Sequence, residues 1–185
     1  MAILIAGVAL WWAAHLFKRV APEARAKLGD PGKGIVAVAV IASVVLMVIG
    51  YRQADGAWFW GRSPALVGIN NLLMILAFYC YAASAAKPAK IWLGTKLRHP
   101  QLTGFSIWAV AHLLVNGDVR SFVLFGGLLV WALVEIKLIN AQEGPWTPPP
   151  RAPMKKEVVA LVVTVVVTVV VMLIHNWLGV APWGA

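Results

Sequence analysis

The sequence predicts an all-α integral membrane protein, a bundle of six transmembrane helices making one domain over residues 1–185. Three observations predict it. Charged residues make up only 12% of a chain that is 61% hydrophobic, a balance that leaves the soluble range. Uncharged apolar runs near the length needed to cross hydrocarbon recur along the chain. The lysines and arginines fall between those runs, on alternate loops. Helix is the expected element throughout, because backbone groups in lipid must satisfy one another within the segment.

The runs lie at about 2–17, 35–51, 64–86, 102–117, 119–139 and 157–178. In the first, Lys18 and Arg19 follow the apolar stretch instead of preceding it, which argues against a cleaved signal peptide. The third carries Asn70, Asn71 and the single cysteine, Cys80, read as a small core residue. The fourth is the shortest and opens after Arg98-His99-Pro100, with proline suited to a first helical turn. Asn116-Gly117-Asp118 separates it from the fifth run and reads as a tight turn, glycine and aspartate supplying unusual backbone angles, so that the two runs form an antiparallel hairpin. The sixth is valine-rich, with Thr164 and Thr168 spaced for close helix packing. Before it, the proline-rich loop 144–153 reads as a stiff extended spacer.

The first loop carries Lys18, Arg19, Arg25, Lys27 and Lys33, the third Lys87, Lys90, Lys96 and Arg98, and the fifth Lys137, Arg151, Lys155 and Lys156. The second has only Arg52 and Arg62 and the fourth only Arg120. Under the positive-inside rule the odd loops, the proline-rich one included, face the cytoplasm and both termini face outward. The formal charge of +9 thus belongs to a membrane surface, and nucleic acid is not expected as a partner.

No Cys-x-x-Cys, His-Glu-x-x-His, phosphate-binding glycine loop or Gly-x-Ser-x-Gly is present, which leaves hydrolase, nucleotide-binding and zinc-peptidase readings without support. Imidazole is the strong metal donor that remains. His15 and His112 lie inside apolar runs, where an ionisable group calls for a partner or a task. Each follows a tryptophan by four residues, Trp11 and Trp108, a spacing that puts ring and imidazole on one helical face. Gly104, Trp108, His112 and Asn116 form a slowly turning stripe expected to face the interior. Asn70 and Asn71 fall level with His112, and Glu135 falls at the depth of His15; either could orient an imidazole. The alternatives are a structural His–Asn bond joining two helices and an interfacial His15 that reaches toward water. His175, near the outer end of the last run, reads as interfacial.

These residues resemble the NnrU-like membrane proteins. The resemblance covers most of the chain: His15 with Arg25 and Leu28-Gly29, the stretch from Leu97 through Arg98-His99-Pro100 to Gly104, then Trp108, Ala111-His112, Asn116-Gly117-Asp118 and Phe125-Gly126, and finally His175 to Val180. The family includes bacterial proteins linked to nitrogen-oxide respiration and the haem b enzyme zeta-carotene isomerase. What the resemblance implies is a bacterial inner-membrane protein that binds haem b, with His15 and His112 as axial ligands of the haem iron. Trp11, Trp108, Asn70, Asn71 and Glu135 would be the groups supporting them. The implied role is in nitric oxide and denitrification chemistry, with the lipid bilayer and a membrane redox protein or nitric oxide reductase as partners. Two alternatives are a haem-dependent cis-trans isomerase of a polyene lipid and a non-catalytic assembly factor docking through the proline-rich loop. The isomerase has a cysteine three residues before its second histidine where this chain has Ala109, so an exchange of histidine for thiolate is not expected here.

Overall fold

The computed structural model describes residues 1–85 and 88–184; residue 86 at the end of the third expected span, the loop residue Lys87, and Ala185 lie outside the described residues. The chain is helical nearly throughout, and its contacts divide it into two compact units, Met1–Phe59 with Gly117–Gln142 and Trp60–Asn116 with Glu143–Ala185.

The first unit is built on α1 (Ala2–Val20) and α3 (Pro31–Gln53), joined by the short α2 (Pro22–Lys27). Two glycines let the long pair approach backbone to backbone. A methyl group at Gly7 would lie 2.8 Å from the Met47 nitrogen, and one at Gly50 would overlap the backbone of Leu4. Leu4 and Met47 are buried in return. In lipid such contact is a main source of helix association, since burying apolar surface there gains nothing over lipid contact. Gly29, with φ +55°, turns the chain between α2 and α3, and the Arg25 guanidinium donates to its carbonyl at 3.4 Å. The Arg25 and Leu28-Gly29 part of the motif is therefore a turn lock.

Residues 117 and 118 depart from expectation. Among the described residues positive φ occurs at Gly29, Gly144 and Gly179, not at Gly117. Gly117–Asp118 forms a short strand, β2, pairing with β1 (Trp58–Trp60), and the Val119 N–H donates to the Ala57 carbonyl at 3.1 Å. A partner segment remote in sequence decides this geometry, so local turn chemistry could not reveal it. Asp118 then caps the next helix, α6 (Val119–Glu143), by accepting the Ser121 N–H at 2.9 Å. Early in α6, Phe122–Gly126 winds as a π-helix. Just beyond it the Gly127 carbonyl accepts the Trp12 indole N–H at 3.0 Å.

The second unit is organised by α4 (Pro64–Ala85), which packs along α5 (Pro100–Val115) and also against α7 (Met154–Trp177). Gly104 makes the first packing close: a Cβ there would lie 2.7 Å from the Ala77 carbonyl oxygen. On α7, Ala160, Thr164 and Thr168 form the buried stripe, while Val158, Val162, Val165, Val166 and Val169 point outward. The proline-rich loop is tied down: Lys90 N–H donates to the Pro150 carbonyl at 2.9 Å, and Ala152 N–H to the Lys90 carbonyl at 2.7 Å.

Five helices, α1, α3, α4, α6 and α7, are long and apolar enough to cross a membrane. The fourth expected span is the 16-residue α5, about 24 Å long at 1.5 Å per residue, short of a hydrocarbon core of about 30 Å. Prolines set the starts of α2, α3, α4 and α5, where a missing N–H and a fixed φ cost nothing.

Candidate functional site

His15 lies in the first unit and His112 in the second. Both are held by one local device. A side chain on a helix leans toward its N-terminus, and each imidazole Nδ1 meets the carbonyl four residues earlier: His15 to Trp11 and His112 to Trp108, both at 2.9 Å. A carbonyl oxygen only accepts, so Nδ1 carries the proton and the neutral ring presents its lone pair at Nε2.

Around His15 the walls are indoles. Trp11 stacks on the imidazole at 4.0 Å between ring centres, and Trp131 meets it edge-on at 4.8 Å. Trp131, buried on α6, went unmarked in the sequence because nothing local to residue 131 announces a partner on α1. Glu135 is one turn further along α6 and pairs with Arg19, Nε to Oε1 3.8 Å, its other oxygen buried with no hydrogen-bond partner among the described residues. The expected approach of Glu135 to His15 is thus taken by the neighbouring arginine, which Gln142 also holds by donating to the Arg19 carbonyl at 2.9 Å.

Around His112 are Trp108, 5.0 Å away between ring centres, and His175, 6.5 Å away. Asn116 donates to the His112 carbonyl at 2.8 Å, finishing α5. Asn70 and Asn71 are engaged with each other at 3.1 Å, and Asn71 donates to the Pro182 carbonyl at 2.9 Å, tying down the C-terminal segment. His99 occupies the N-cap position of α5 with Pro100 at N1. Arg98 reaches the Gly144 carbonyl at 2.5 Å and the Glu143 carboxylate at 3.6 Å.

His175, read from the sequence as interfacial, was not expected beside His112. Its Nδ1 donates to the Val171 carbonyl at 2.8 Å, the same device again. It is positioned by a Schellman ending: Gly179, φ +86°, turns the chain so that Val180 N–H donates to the His175 carbonyl at 2.9 Å and Gly179 N–H to Asn176 at 3.1 Å. The available signal was the His175 to Val180 motif itself.

With this geometry in place, the family model described as NnrU protein matches residues 3–182. The chain belongs to the NnrU family. Among curated proteins and among solved structures, none matches it. The NnrU motif residues fall into two groups: Gly29, Gly104, Asp118 and Gly179 shape the backbone or close helix contacts, whereas His15, His112 and their tryptophans offer donor atoms. The donor set suits haem iron, which takes neutral imidazole whose far nitrogen is hydrogen-bonded to a backbone carbonyl.

Proposed function

We propose that this NnrU-family chain is an inner-membrane haem b protein acting in nitrogen-oxide metabolism, with His15 and His112 as the residues that would hold the haem iron. The observation supporting it is the shared Nδ1 anchoring of these two histidines, each beside the tryptophan four residues before it. Such anchoring fixes the tautomer, restrains the ring and raises the basicity of the ligating nitrogen. When bound, the group would supply a ferrous iron able to take up nitric oxide. The chain's own part is to present two oriented Nε2 atoms and, around His15, to exclude water with the indoles of Trp11 and Trp131.

In this reading α5 is the sixth crossing, both termini are periplasmic, and Arg19, Lys155 and Lys156 lie on the cytoplasmic side, following the loop charges. Adding nitric oxide to the dithionite-reduced, detergent-purified protein tests the role. A shifted Soret band is expected; a haem-loaded protein whose spectrum ignores nitric oxide contradicts it.

A further inference from the structure

We propose that one face of α7 retains an anionic glycerophospholipid, its acyl chains along a valine rail and its phosphate at Lys155. Val158, Val159, Val162, Val166 and Val169 are each 45–56% exposed. At about 100° per residue they form one strip with Lys155 at its head, about 180° around the helix from Ala160, Thr164 and Thr168, which are 3–8% exposed. The rail is about 17 Å long at 1.5 Å per residue, close to one leaflet of a hydrocarbon core of about 30 Å. Valine has one strongly preferred rotamer in a helix, so an acyl chain laid on the rail freezes little side-chain motion. At the head of the rail Arg151, Lys155 and Lys156 are exposed. Glu157, the carboxylate beside them, is already engaged, its oxygens accepting the Tyr79 hydroxyl and, at 2.8 Å, the Trp92 N–H. Three cations against one engaged carboxylate leave an excess of positive charge that complements a lipid phosphate. The bond to Glu157 also brings the exposed Trp92 to this end of α7, a residue suited to headgroup level. A second copy of the chain fits the face less well. The rail has no glycine, alanine or serine to admit another helix closely, and a twofold axis through it would set Lys155 against Lys155.

None of these residues carries the haem reading, so the two stand or fall apart. Full-length, delipidated protein in detergent is titrated with phosphatidylglycerol, or with phosphatidylcholine of the same chains, and followed by native mass spectrometry. One phosphatidylglycerol per chain is expected, bound at least about tenfold more tightly than phosphatidylcholine, and excess glycerol 3-phosphate should not displace it. The double variant Lys155→Gln with Lys156→Gln should weaken phosphatidylglycerol about thirtyfold, about fivefold per lysine. Lys27→Gln, an equal loss of charge on the exposed α2, should leave it unchanged. Val162→Asn, confirmed monodisperse, should weaken both lipids. A double variant that binds phosphatidylglycerol like the parent, an equal loss in Lys27→Gln, displacement by glycerol 3-phosphate, or a dimer that excludes the lipid overturns the proposal.

Discussion

At the residue scale, the histidines show what sequence can and cannot disclose. The Trp-to-His spacing of four was legible because helix geometry alone brings both onto one face, and the rings of Trp11 and His15 do stack. Trp131 and His175 were not legible as neighbours of His15 and His112, since those contacts depend on how separate helices pack. The same holds for Tyr51, whose hydroxyl meets the Ser121 hydroxyl at 2.8 Å across 70 positions of sequence. Gly179 gives a residue-scale prediction. Its φ of +86° is strained for any side chain, so Gly179→Ala should cost about 1–2 kcal/mol. A lowered thermal midpoint in detergent is the expected readout. An unchanged midpoint would show that the Schellman ending does not hold that helix.

At the element scale, the helices of the six apolar runs were legible to within a few residues because apolar length and prolines at helix starts are written locally, whereas the short α2 was not among the expected elements. The π-helical turn at Phe122–Gly126 and the strand pairing of Gly117–Asp118 were not, as both answer to distant chain. Glycine packing supplies a paired prediction. Gly104 sits where a Cβ would press on the Ala77 carbonyl and Cys80, whereas Gly68, on the neighbouring α4, has open space around it. Gly104→Val should destabilise by about 1–3 kcal/mol through forced separation of α4 and α5. Gly68→Ala should be neutral or stabilising by up to about 1 kcal/mol, from helix propensity alone. Thermal unfolding of the two variants side by side checks the contrast, and equal losses would mean that close approach at Gly104 is not what the packing needs.

At the scale of the whole molecule, composition and alternating loop charge announced a membrane-embedded helical chain, and five helices have the length and apolarity to span. The two-unit division was invisible, because it follows from contacts between segments far apart in sequence. Orientation rests on charge asymmetry and is open to direct test. In a Cys80→Ser background, Trp183→Cys should react with a membrane-impermeant maleimide in intact spheroplasts. Lys155→Cys should react only after permeabilisation, and the reverse pattern would invert the topology. The central claim is haem binding by His15 and His112, and the absorption spectrum of the purified, haem-supplied protein tests it most directly. A Soret band in the parent, lost or shifted in both His15→Ala and His112→Ala, is the predicted result; no band, or one that both variants retain unchanged, would contradict the account.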